Sequence, residues 1–230
     1  MTPLDSRFLF TTCQLGAEPA LKAELAEQGY RLAFSRPGFI TFKADGPIAP
    51  ETEIRSIFAR TYGASLGKVR AADPAPEILR IASALPEKCV LHVSERDLHV
   101  HGEEPMGFEK GRKARAAYEA LKSGPFAPHT IAKPGELVFD VVVVEDLEWW
   151  YGAHRHSASH SPYPGAKPEI ALPAEAPSRA YVKLEEAIAR FGIPLREGDL
   201  AVELGSAPGG ASYALLRRGL NVVGVDPGEM

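Results

Sequence analysis

The sequence predicts a mixed α/β and α+β protein, with an α+β region in front and the first half of a Rossmann-like, doubly wound fold behind it. Three observations predict this. Helix-like and strand-like segments alternate over about 150 residues, yet the last two strand-like runs are adjacent, as in a hairpin rather than a purely parallel sheet. HSASHSPYPGAKPEIALPAEAPSR, residues 156–179, carries five prolines and neither the helical nor the strand period, which marks an extended connection. LAVELGSAPGG, residues 200–210, then reads as a strand entering a glycine-rich turn, with a helix and a second strand behind it.

Composition bounds the class. The 230 residues suffice for one large domain or two ordinary ones, and 45% hydrophobic with 24% charged content belongs to a folded protein. No apolar run approaches the length that spans a bilayer, and MTPLDSRFLF lacks the basic and apolar regions of a signal peptide. Cys13 and Cys89 make neither a disulfide framework nor a metal knuckle, so a reducing cytoplasm is expected. A net charge of -4 argues against nucleic-acid binding by bulk attraction but leaves room for a local basic surface. The strongest such stretch is FEKGRKARAAYEALK, where Lys110, Arg112, Lys113, Arg115 and Lys122 face only Glu109 and Glu119; a solvated helix surface is the favoured account of it.

Taken in order, RFLFTT reads as a strand and GAEPALKAELAEQG as a helix, with Pro19 tolerated in its first turn and Leu21 and Leu25 on one face. YRLAFSRPGFITFKA gives two short strands around a Pro-Gly turn. ETEIRSIFARTYG is expected to be a second amphipathic helix that buries Ile54, Ile57 and Phe58, closing a small α/β unit at about residue 65. PEILRIASAL is a helix, KCVLHVSE a strand, and FEKGRKARAAYEALKSG a helix ending at Gly124. ELVFDVVVVEDLEWWYGAHR supplies two strands around a turn at Glu145-Asp146. Alternation sends Trp149 and Trp150 to opposite faces, so one of them can serve as edge packing or as a platform for a nucleobase. His154, His156 and His160 have no cysteine nearby to complete a zinc set; exposed or RNA-facing imidazoles are the expectation, with no metal.

The last unit opens at Ser178, placed to cap the helix AYVKLEEAIARFG, with Leu184 and Ile188 on one face. DLAVELG is a strand, ASYALLRRG a helix closed by Gly219, and LNVVGVD a strand ending in an acid. Glycines let backbone pass close to a ligand, and the helix that follows offers unpaired N–H groups. Asp226, 21 residues beyond Gly205, sits where a carboxylate can accept from the hydroxyls of a ribose. A dinucleotide turn needs G-x-G-x-x-G, but the order here is Gly205-Ser206-Ala207-Pro208-Gly209-Gly210, with Ser206 and Ala207 where the second glycine should fall. A cofactor without a pyrophosphate, S-adenosyl-L-methionine, fits that turn better; a nicotinamide or flavin nucleotide and a purely structural turn are the alternatives.

VELGSAPGG together with the upstream APSRAYVKLEEA resembles the FtsJ-like (RrmJ-type) RNA ribose 2'-O-methyltransferases. HSPYPG and PAEAPSR bring it nearest to the group within them that methylates cytidine in bacterial 23S rRNA. The resemblance implies a ferredoxin-like N-terminal unit (1–65), a THUMP-like RNA-binding domain (66–155), a proline-rich linker (156–177) and the start of the methyltransferase domain (178–230). It implies Lys183 as a member of a catalytic Lys-Asp-Lys-Glu set, and a cofactor site at Glu203, Gly205, Ser206, Ala207, Pro208, Gly209, Gly210 and Asp226. The family commonly carries Trp after the two glycines, where Ala211 stands here.

A ribose hydroxyl must lose its proton as the methyl group arrives, and a lysine among other charges can take that proton or hold the alkoxide. Two strands and two helices fall short of a closed doubly wound sheet, so the unit is expected to be truncated and inactive alone, its parent methylating large-subunit rRNA. The rival is an RNA-binding module with a non-catalytic remnant of the transferase, carried by the basic helix and a tryptophan. A dehydrogenase would leave the SR…KLEEA stretch unexplained.

Overall fold

The alternation in the first part of the chain resolves into one mixed sheet. The computed structural model describes residues 4, 6–96, 98, 111–168 and 170–228, and the chain divides into two units, Met1–Lys167 and Pro168–Met230. The first contains β1 (Ser6–Thr12), α1 (Glu18–Glu27), β2 (Arg31–Arg36), β3 (Phe39–Ile48), β4 (Thr61–Arg70), α2 (Ala75–Ser83), β5 (Val90–Glu95), α3 (Arg112–Leu121), β6 (Leu137–Glu145) and β7 (Glu148–Arg155). Among the described residues these strands make a seven-stranded sheet in the order β2-β3-β1-β4-β7-β6-β5. Only β5 and β6 run parallel, because the connection between them passes through α3, whereas β6 and β7 are joined by a tight turn. That turn lies at Asp146 and Leu147, one residue later than the sequence suggests, since β6 continues through Glu145.

Alternation along the strands sorts the core into two faces. Toward the helices, Leu21 and Leu25 of α1 join Leu9, Ile40 and Phe42. Ile78 and Ala82 of α2, with Ala117 and Leu121 of α3, join Leu91, Phe139, Val141, Val143 and Trp149. Each large aliphatic side chain so buried contributes about 1.5–3 kcal/mol. On the other face Phe10, Phe39, Val142 and Val144 form a cluster with Phe34 and Trp150, built from strand residues alone. Trp149 and Trp150 do point opposite ways, Trp149 into the helix-covered core and Trp150 half-buried on the other side. The expected units 1–65 and 66–155 share this sheet, because β4 pairs with β1 on one side and β7 on the other.

The helix expected over residues 51–63 does not form. Residues 51–60 hold no helix, and Thr61, Tyr62 and Gly63 open β4. Side chains of α1 and of Gln28 just after it satisfy the loop backbone instead: Arg55 N–H donates to Gln28 Oε1 (2.9 Å) and Ile57 N–H to Glu24 Oε1 (3.0 Å). Ser56 Oγ accepts from the N–H groups of Phe58 and Ala59, at 3.2 and 2.9 Å. Local side-chain acceptors of this kind compete with a helix ladder. Ile54 is buried as expected, but Ile57 is 87% and Phe58 40% exposed.

The region expected as an open linker is also altered. Residues 156–167 pack into the first unit, and His156, His160 and Ser161 are buried, so the expectation of exposed imidazoles is wrong. Tyr62 donates from its hydroxyl to Ser159 Oγ (3.1 Å) and its ring lies 4.2 Å from that of His160, which fixes the segment against β4. The helix expected from Phe108 begins at Arg112; Phe108, Glu109 and Lys110 lie outside the described residues. Both cysteines are buried and neither is in a disulfide. No helix among the described residues is long and apolar enough to cross a membrane.

The second unit holds α4 (Ala180–Phe191), β8 (Leu200–Leu204), α5 (Gly210–Arg217) and β9 (Asn221–Val225), with β8 and β9 parallel and in register from Leu200 against Asn221 to Leu204 against Val225. This is the strand, turn, helix, strand order that the sequence predicts. Leu200, Val202, Leu204, Val223 and Val225 are all exposed, leaving apolar strand positions uncovered.

Candidate cofactor site

The turn after β8 is shaped by backbone that only glycine adopts freely. Gly205 and Gly209 sit at φ +77 and +95, and an added Cβ at either would meet nothing within 4 Å. Open space beside a glycine turn is where a ligand can approach main chain closely. The peptide between Ala207 and Pro208 is cis. Ser206 is buried at the root of the turn, while Pro208 is exposed on its rim. Gly209 is the residue before α5, and its carbonyl accepts from Tyr213 N–H (2.8 Å), so the first N–H groups of α5 emerge at the turn.

Asp226 follows β9 and closes the turn from the other strand. Its Oδ2 accepts from Ala207 N–H (2.9 Å) and its Oδ1 from Gly228 N–H (2.7 Å). Those two amides, Ala207 first, hold the carboxyl below the usual aspartate range, so it is ionised at neutral pH. Gly205 N–H donates to Val225 O (2.8 Å), locking turn and strand tip together. Glu203, on β8, accepts from the hydroxyl of Ser212 in α5. Ser212 and Gly228 carry no motif of their own, and their part in the turn was not legible in the sequence.

The SR stretch and the double glycine meet. A Cβ on Gly210 would lie 2.2 Å from Ser178 Oγ, 2.8 Å from Ser178 O and 3.2 Å from Ala180 Cβ. Gly210 is therefore needed for the start of α4 to approach the start of α5. Ser178 Oγ accepts from Ala180 N–H (3.3 Å), but the capping position of α4 is Arg179, one residue later than the sequence suggests, and no side chain caps the helix there. Farther along, Arg218 pairs with Glu185, and the rings of Tyr181 and Tyr213 are 5.9 Å apart. Lys183 lies in the first turn of α4, exposed, with no carboxylate partner among the described residues. Ala211 is half-buried in the first turn of α5.

The other sequence candidates fare differently. Along α3, Lys113 pairs with Asp146 (2.6 Å) and Lys122 with Glu119 (2.5 Å), which spends two of its cations locally. The histidines form a buried group with His92: His154 Nδ1 lies 2.6 Å from Asp140 Oδ2, His92 Nε2 2.9 Å from Thr130 O, and His160 Nδ1 3.1 Å from Ser157 Oγ. The rings of His154 and His160 stack at 4.3 Å. Among the described residues no group of three His, Cys, Asp or Glu side chains is arranged to hold a metal ion.

Comparison with known proteins bears on residues 176–230, which match the family model described as FtsJ-like methyltransferase. Over 246 aligned residues the chain is 30% identical to ribosomal RNA large subunit methyltransferase M of Haemophilus influenzae (strain PittEE), covering 95% of this chain and 67% of that one. It is 45% identical over 87 residues to the protein of the same name from Actinobacillus succinogenes, 35% of this chain and 24% of that one. A third, from Tolumonas auensis, is 28% identical over 240 residues, 95% of this chain and 64% of the other. The chain thus spans about two thirds of the length of its full-span relatives.

Proposed function

Because this chain belongs to the family of ribosomal RNA large subunit methyltransferase M, we propose that its second unit holds S-adenosyl-L-methionine and serves methylation of a ribose 2'-hydroxyl in large-subunit (23S) rRNA. The observation that carries this reading is the glycine turn with the Asp226 carboxylate at its mouth. The residues fit the cofactor. Gly205 and Gly209 leave main chain accessible, Ala207 to Gly210 line the entry to α5, and the ionised Asp226 keeps lone pairs for the two hydroxyls of a ribose. When bound, the cofactor supplies a methyl group on a sulfonium, which leaves as a neutral thioether.

The chain's own residues do the rest. The approach of Ser178 to Gly210 sets α4 beside the turn and gives Lys183 a fixed origin. The Lys183 amine then takes the proton of the ribose hydroxyl, or as ammonium stabilises the alkoxide, while the oxygen gains the methyl group. Holding that oxygen in line with the methyl is the remaining requirement. In the complete protein the front unit acts as a THUMP-like RNA-binding region, and the protein works in the cytoplasm. Helices cover the faces of a doubly wound sheet, so the exposed apolar positions of β8 and β9 fit such a cover. The proposed catalytic set needs an acid, a lysine and a glutamate besides Lys183; activity is therefore proposed for the protein extended to its relatives' length.

The test uses a form of the protein extended to the length of its relatives. Labelled methyl transfer from S-adenosyl-L-methionine to unmodified large-subunit rRNA is expected, mapping to ribose. Lys183→Ala should lower the rate by about 10²–10⁴-fold, the usual contribution of a positioned acid or base. Label on a base, or full activity in the variant, overturns the assignment.

A further inference from the structure

We propose that the face of the first unit's sheet turned away from α1, α2 and α3 is a docking surface for single-stranded RNA, with Trp150 as the stacking platform and Lys68, Arg36 and Lys43 as the phosphate contacts. Four observations carry it. Trp150 and Phe34 stack on this face with ring centroids 5.0 Å apart and planes at 29°. The Lys68 ammonium lies over both rings, 4.9 Å from that of Trp150 and 5.5 Å from that of Phe34, and the Arg36 guanidinium lies 5.0 Å from the Phe34 ring. Register places these groups on one side: Lys68 is opposite Trp150, Arg36 opposite Phe39, and Lys43 opposite Phe8, whose ring is 41% exposed. No helical residue belongs to the cluster beneath them.

The charge of the face points to a polyanion. Glu148 offsets one of the two cations beside it, Lys68 (3.6 Å) and Arg70, while Arg36 and Lys43 have no carboxylate partner among the described residues. The face is therefore positive on a chain whose net charge is -4, an asymmetry that draws an anionic strand to this side. The aromatic pair selects the kind of polyanion. A duplex hides the faces of its bases, whereas an unpaired strand offers them to an aromatic ring between phosphates. Trp150 Nε1–H donates to Glu148 Oε1 (2.9 Å), which fixes the plane of the indole. Lys68, a flexible side chain that is itself 39% exposed, lies at the shared edge of the two rings, on the same side of the indole as Phe34. On binding, a base stacks on the indole face turned away from Phe34, and the nearby Lys68 ammonium meets a phosphate.

This surface rests on the reading above only for the choice of RNA as the nucleic acid, and it is tested by binding rather than by methyl transfer. The chain has two tryptophans, so Trp149→Phe leaves Trp150 as the single indole reporter. Titration with a short single-stranded oligoribonucleotide should quench its fluorescence, while an RNA duplex or polyglutamate should not. Trp150→Leu should weaken binding by about fivefold to 150-fold, the range of one lost base stack. Arg36→Gln with Lys43→Gln, two exposed positions that leave the core untouched, should reduce the slope of log affinity against log salt by about 1.4, from two single-strand phosphate contacts. Absence of quenching, an unchanged salt slope with circular dichroism showing intact folding, or equal quenching by polyglutamate would each overturn the proposal. Failure of methyl transfer by the unaltered extended protein would instead overturn the reading of the glycine turn and leave this surface standing.

Discussion

Between pH 7 and pH 5 the first unit is expected to lose about 2 kcal/mol of stability for each of His92 and His160. Burial pushes the His92 imidazole down to about 4, with Asp140 opposing and His154 adding to the shift. Burial, followed by the neighbouring His154, pushes His160 down to about 3. In the unfolded chain both titrate near the ordinary histidine value of about 6.5. The unfolded state therefore binds more protons in the interval between these values, and stability rises with pH across it. The contribution is fully present above about pH 6.5, falls as the pH drops through the folded values, and changes no further below about 3. Against the 5–15 kcal/mol typical of a domain, a combined loss of about 4 kcal/mol is large.

The local structure explains why the folded state resists the proton. His92 Nε2 faces Thr130 O, while His92 Nδ1 is buried without a hydrogen bond among the described residues. A second proton on such a ring would add a charge with nothing to receive it. Both tryptophans lie in this unit, so urea unfolding followed by tryptophan fluorescence at pH 7, 6 and 5 reads the effect directly. His92→Gln should reduce the proton uptake on unfolding by about one at pH 5. An unfolding midpoint that does not move over this range would sink the prediction.

Gly210→Ala is expected to separate the two helices of the second unit and to abolish methyl transfer in the extended protein. Two terms compete. Alanine in place of glycine favours a helix by up to about 1 kcal/mol, and less in a first turn. Against this, the added methyl would sit 2.8 Å from the backbone oxygen of Ser178, which cannot rotate away as the 2.2 Å hydroxyl contact can. Overpacking of this kind costs about 1–3 kcal/mol, so destabilisation wins. Amide hydrogen exchange across α4 and α5 should accelerate, with little change in the first unit. Slower exchange in the variant would show that propensity outweighs the contact, and would remove the structural link between the SR stretch and the double glycine.

Some features needed no tertiary information. The strand, turn, helix and strand of residues 200–226 follow from a short apolar run, glycines at both ends of the helix and an acid at the tip of the second strand. The opposed faces of Trp149 and Trp150, the hairpin of β6 and β7, and the Leu21–Leu25 face of α1 follow equally from the strand and helix periods. These are properties of neighbouring residues, and sequence distance is a fair measure of spatial distance over one turn or one pleat. The candidate site was legible to the same extent: its glycines and Asp226 were named from spacing, whereas the contact of Ser178 with Gly210 and the bond of Ser212 to Glu203 required the folded chain.

The tertiary structure decided the rest. Residues 51–60 have a helical pattern, but Glu24 and Gln28, some thirty residues earlier, offer their backbone better acceptors than a helix ladder would. The histidine-rich stretch after β7 looks like solvated linker until Tyr62 of β4 and His154 of β7 supply the rings against which His160 packs. The sheet joins segments 1–65 and 66–155 because β4 finds partners on both sides. In each case the deciding partner is remote in sequence, and its hydrogen bonds and apolar contacts exceed a local preference worth at most a few tenths of a kcal/mol per residue.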